Sequence, residues 1–238
     1  TLEVVLTRVF SVTMWYHFAF LAVSLALMGS AVAGVALYFL PHLAQPERVQ
    51  RLIGWLALAL AVMVPVTFWL YLAIPFELAE MRGALPPLQV FYMVLIYLDL
   101  AIPFFLSGLI LSLALSAWSE QAGRLYSADL IGAAAGCLMS ILLLNVLGGA
   151  SALLAVAVGG ALAAMVFMWG SGRRVVWAGA TLVVLVGLVG SNVAWNWMVV
   201  TSNKAGGEEP PRVYEHWNAQ SRVTVYESQN YPFYWAVD

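Results

Sequence analysis

The chain has 238 residues, of which 63% are apolar and only 9% charged, with a net charge of -2. A soluble core of this length could not hide so much apolar surface, whereas in a bilayer lipid becomes the solvent. The charge balance excludes the basic face that a nucleic-acid partner needs. The single Cys137 excludes an internal disulfide and a thiolate-ligated metal cluster.

The N-terminal stretch has no basic region ahead of a short apolar core, so no signal peptide is visible. The chain starts on Thr1 and ends on Asp238 after an apolar, strand-like run, and it reads as part of a longer protein. Glu3 and Arg8 lie near the start, placed to pair with each other or with Asp129. A spanning helix needs about 20 apolar residues, and residues 18–40 form the first clear one. His17 sits just inside it and reads as an interfacial or hydrogen-bonded histidine. A metal ligand is the lesser reading, since His42 and His216 lie far off in sequence.

The second span covers 52–75, with Pro65 as a kink. The third covers 88–117 and carries Asp99 near its middle, an expensive place for an acid. Two readings of Asp99 stay open: a substrate or proton site, or a protonated or hydrogen-bonded structural acid beside a break at Pro103. The uncharged run 130–172 is about twice a crossing. It divides at 145–151, where Gly148 and Gly149 permit a reversal, into helices over 125–147 and 150–169. Asp129 then falls in the first turn of the fourth span, where an acid complements the helix dipole. The last span covers 175–197 and ends in Trp195 and Trp197, an interfacial aromatic anchor. Small residues four apart, Gly29 with Ala33, Gly132 with Gly136 and Gly160 with Ala164, mark faces on which helices can approach closely.

The expected fold is therefore an all-α polytopic membrane bundle of about six transmembrane helices over residues 1–199, ending in a short β-hairpin-like segment. Residues 200–212, with paired Gly, Glu and Pro, read as a linker. Residues 213–238 read as the start of a soluble β/α domain, with strands at 213–217, 222–227 and 233–237 separated by turn residues. If all spans cross, Arg48, Arg51, Arg124, Arg173 and Arg174 share one side, and Arg8 and Arg82 lie on the other with the tail. With the tail's own charges left out, the positive-inside rule places the tail outside the cytoplasm. No phosphate loop, carboxylate pair, metal-ligand cluster or nucleophile elbow is present, so no catalytic, cofactor or metal site can be assembled from these residues.

One family resemblance runs through most of the chain. Residues 125–136, from Leu125-Tyr126 through Asp129-Leu130 and Gly132-Ala133 to Gly136, resemble the "LYxxDLxGAxxG" stretch of membrane-bound spermidine synthase-like proteins. Pro103-Phe104-Phe105 with Gly108 resembles the "PFFxxG" of the preceding helix. Glu3, Arg8, His17-Phe18-Ala19-Phe20 and Ser24-Leu25-Ala26 resemble the opening region. Trp217-Asn218, Ser221 and Arg222-Val223 are similar to the "WNxxSRV" that opens the soluble domain. The helix that usually precedes Glu3 in the family has no counterpart here.

The resemblance implies a multi-helix domain in the bacterial inner membrane, joined to a C-terminal aminopropyltransferase domain. Decarboxylated S-adenosylmethionine would be the co-substrate and a polyamine-like amine the acceptor. The glycine loop and catalytic acids of such a domain would follow Asp238, so none carries over. The implied role of this chain is to anchor the catalytic domain and to deliver or export its substrate or product. A small-solute transporter or channel bundle, and a purely structural anchor, are the alternatives.

Overall fold

In a computed structural model the chain is an all-α membrane helix bundle capped by a two-stranded antiparallel hairpin. The structure describes residues 1–14, 19–76, 86–201, 209, 212–227, without the side chains of Pro46 and Glu47. His17 and the strand expected at 233–237 lie outside the described residues. The helices are α1 (Leu2–Thr13), α2 (Ala19–Phe39), α3 (Pro46–Ala73), α4 (Pro87–Ala117), α5 (Ala122–Phe167) and α6 (Arg173–Trp195), followed by β1 (Arg212–Trp217) and β2 (Arg222–Tyr226). From α2 to α6, all five are long and apolar enough to cross a membrane.

α5 is broken where the sequence permits it. Gly148 adopts φ 77° and ψ 177°, a conformation that a Cβ would oppose, and divides the helix into 122–147 and 149–167. The first half, at about 1.5 Å per residue, is about 39 Å long, and each half can make its own crossing. The bundle thus provides the six expected spans. Pro65 and Pro103 lie inside continuous helices, α3 and α4.

Close contacts set the directions. A Cβ on Gly29 would lie 2.7 Å from Phe104 Cβ, and one on Gly108 would lie 2.7 Å from Ser30 Cα, so α2 and α4 run parallel with backbones touching. α3 runs antiparallel to the second half of α5, with Gly160 on Ala61 and Gly54 on Met168. Of the three small-residue faces, those at Gly29 and Gly160 bury a helix pair. Gly132 has nothing within 4 Å, and the atoms nearest a Cβ on Gly136 belong to Thr1, just ahead of α1.

α1 is a short amphipathic helix not foreseen in the sequence. It buries Val5, Leu6, Val9 and Phe10 and leads from mid-bundle at Gly136 toward the end of α3. There the Thr13 and Tyr71 hydroxyls are 2.7 Å apart and the Phe10 ring meets Tyr71 edge-on at 5.5 Å. One end of the bundle gathers the starts of α3, α5 and α6, and with them Arg48, Arg51, Arg124, Arg173 and Arg174. The hairpin caps the opposite end.

Candidate functional site at the helix break

The break in α5 and the end of α6 frame a polar cavity of about 230 Å³. Its wall includes Asn145, Gly148, Ser151, Asn192, Asn196 and Glu215. α6 stops at Asn196, whose left-handed φ of 47° suits asparagine and turns the chain back over the cavity. Asn192, nearly fully buried, donates from Nδ2 to Ser151 Oγ at 2.8 Å and accepts the Met198 backbone N–H on Oδ1 at 2.7 Å. A single amide therefore ties α6 both to the start of the second half of α5 and to the chain leaving the membrane. Such a buried amide is stable only because both its ends are satisfied.

The hairpin closes the cavity. Trp217, 5% exposed, lays its indole over Gly148 and Gly149. A Cβ at Gly149 would lie 2.8 Å from Trp217 Cη2, so the two glycines form a notch cut to the ring. The Trp217 Nε1–H donates to Glu215 Oε1 at 2.6 Å. Glu215 and Glu209 are shared by two arginines: Arg212 reaches them at 2.8 and 2.7 Å, and Arg222 at 2.8 and 2.9 Å. Arg222 also covers the Trp217 ring at 5.7 Å. Burial alone would lower the Arg222 pKa, but the Glu209 and Glu215 carboxylates hold it above the usual arginine range. A pKa raised by folding means that this contribution is complete below the ordinary arginine range and is lost only at more alkaline pH.

The tight turn between the strands is also specified locally. Asn218 Oδ1 accepts the N–H groups of Gln220 and Ser221 at 2.7 and 2.6 Å, and the Asn218 N–H donates to the Ser221 carbonyl at 2.9 Å. Arg212 donates to the Val200 carbonyl at 3.0 Å and Arg8 to the Gln220 carbonyl at 3.4 Å, which fastens the hairpin to α1 and to the end of the bundle. Trp217, Asn218, Ser221 and Arg222, singled out in the sequence as one motif, thus become one structural unit: ring in the notch, turn, and ion pair. The strands match expectation, β1 starting one residue earlier and β2 ending one earlier.

The other sequence candidates are scattered. Asp99 lies on α4 with Oδ2 buried and, among the described residues, without a hydrogen-bond partner. Pro103 lacks an N–H, so the backbone carbonyl of Asp99 also loses its usual donor one turn on. Asp129 is exposed and stands in the second turn of α5, not the first: the helix begins at Ala122, behind a 3-10 turn at Ser119–Gln121, and its dipole is effective only in its first turn. Among the described residues, Glu3, Arg8 and Asp129 form no ion pair with one another; Arg8 is drawn to the hairpin. No group of three metal-binding side chains occurs among the described residues.

Asn192 and the Gly148–Gly149 notch were missed as site residues in the sequence. The available signal was an asparagine in the last turns of an otherwise apolar span. Comparison with known proteins gives no match to a family model, a curated protein or a solved structure.

Proposed function

We propose that this chain is the membrane domain of a spermidine synthase-like aminopropyltransferase of the bacterial inner membrane. Its task is to hold a C-terminal catalytic domain in a fixed pose on the bilayer. The observation that carries this reading is the docking of the hairpin. The segment that resembles the opening of the transferase domain is keyed into the broken helix by Trp217 and tied down by Arg8 and Arg212. A flexible tether would need none of these contacts. Decarboxylated S-adenosylmethionine and a polyamine-like amine would be the substrates of the attached domain, and the chain itself supplies no catalytic group.

The test is direct. Protein extended beyond Asp238 should transfer an aminopropyl group to an amine in detergent or vesicles, and residues 1–238 alone should not. Inactive extended protein, or activity in the isolated chain, would overturn the proposal. A second reading, transport of a small cation, has one observation in its favour: the orphaned Asp99 Oδ2 within a membrane helix. It requires Asp99→Asn to abolish amine uptake into vesicles while leaving the fold intact.

A further inference from the structure

We infer that the face formed by α3 and α6 is a binding site for an anionic phospholipid. A groove of about 500 Å³ runs between these helices over Leu154 of α5, a volume within the range of about 300–1,000 Å³ that ligand clefts occupy. Its walls are Val62, Val66 and Trp69 from α3 and Trp177, Val184 and Leu188 from α6. Thr181 supplies the one side-chain hydroxyl in the lining. Such a surface suits an acyl chain and would strip the hydration of a polar solute without replacing it.

The position of charge identifies which lipid. At 3.6 residues per turn, Arg51 and Trp55 lie on the same face of α3 as Val62 and Trp69. Arg173 lies on the same face of α6 as Trp177 and Val184. Arg51 is eleven residues from Val62, and Arg173 is eleven from Val184. Each guanidinium therefore stands about 17 Å along its helix from the groove's centre. Val62 and Val184 are themselves nearly level: Gly160 of α5 touches Ala61, and Ser151 of α5 bonds Asn192 of the antiparallel α6, which nine residues further along α5 places residue 160 opposite about 183.

Half a bilayer is about 15 Å of hydrocarbon with the headgroup beyond it, so both arginines stand at phosphate depth, one above each wall. Trp55 and Trp177, both well exposed, sit a turn below them at the interface. Arg51 and Arg173 are exposed, and among the described residues neither forms an ion pair; those present join the hairpin arginines to Glu209 and Glu215. Glu120, an acid at the same end, lines a separate cleft with Arg124. A diacyl lipid with a phosphate between Arg51 and Arg173 and one chain in the groove satisfies both features at once.

The experiment uses the purified chain in detergent, titrated with phosphatidylglycerol or phosphatidylcholine and read by native mass spectrometry and melting temperature. Each arginine near a headgroup favours an anionic lipid by about fivefold, so phosphatidylglycerol should bind about 30-fold more tightly. Arg51→Gln with Arg173→Gln should reduce that preference to near unity, whereas Arg124→Gln should keep it. Ala180→Trp, which fills the groove, should weaken both lipids while helical content is retained. Equal affinity for the two lipids, or a preference that survives the double substitution, overturns the site. So does a lipid-free dimer whose contact is this groove.

Discussion

Gly149→Val tests the central joint of the molecule. The added Cβ would stand 2.8, 2.9 and 3.1 Å from Cη2, Cζ2 and Cζ3 of Trp217, atoms of a rigid ring that cannot fold aside. The ring must leave the notch, and the hairpin must lift with it. A buried tryptophan removes on the order of 150–250 Å² from water. At about 25 cal/mol/Å² this is about 4–6 kcal/mol, an upper bound because the undocked ring still covers some of its surface. The remaining ties, Arg8 to Gln220 and Arg212 to Val200, contribute about 1 kcal/mol each, and a two-stranded hairpin is barely stable by itself. Hydrogen exchange over residues 212–226 reads the outcome. Protection should fall by at least about thirtyfold, corresponding to about 2 kcal/mol, with the helices unaffected. Trp217→Ala should give the same loss, and Gly149→Ala with Trp217→Ala should cost less than the two single changes added together. Unchanged hairpin protection in both Gly149→Val and Trp217→Ala would refute the keyed joint.

Three further outcomes follow from named contacts. Asn192→Leu leaves the Met198 N–H and Ser151 hydroxyl without their partner and should destabilise the bundle by about 1–3 kcal/mol, measured as a lower melting temperature in detergent. Asp99→Leu removes a buried oxygen that has no partner among the described residues, so it should stabilise by about 1–3 kcal/mol; a lower melting temperature would show that the carboxyl has a structural partner. Gly29→Leu forces side-chain atoms into the Phe104 and Phe105 backbone and should separate α2 from α4, seen as a loss of hydrogen-exchange protection along both helices.

The spans were legible in the sequence because a charge-free run of sufficient length has one inexpensive environment. Even the division of the longest run at Gly148 followed from residue type, since only glycine takes that φ without strain. The turn at Asn218 was readable for the same local reason. The start of α5 was harder to read: Ala122 to Arg124 carry no cap signal, and the helix simply extends outward past the apolar run, which moved Asp129 out of the first turn. The cavity was not legible at all. Asn192 and Ser151 lie 41 residues apart, and their pairing depends on how two antiparallel helices are phased. No spacing rule along one chain carries that information. The same holds for Trp217 and its notch, where ring and glycines belong to different parts of the sequence.

The two ends of the bundle make opposite demands, and together they predict orientation. Five arginines, at 48, 51, 124, 173 and 174, share the end opposite the hairpin. The positive-inside rule places that end in the cytoplasm, where anionic lipids also concentrate, so the lipid groove and the charge asymmetry agree on the same leaflet. The hairpin, and whatever follows it, would then face away from the cytoplasm. Under the proposed function, an aminopropyltransferase domain on that side would need its sulfonium substrate there, and the membrane domain would then have a reason to move a cation as well as to anchor. Protease added to sealed right-side-out vesicles should therefore cleave near Lys204 and leave the 41–46 connection intact. Cleavage only from inverted vesicles would put the hairpin in the cytoplasm. The arginine cluster would then face outward against the rule, and any need for transport would disappear, leaving the anchoring role alone.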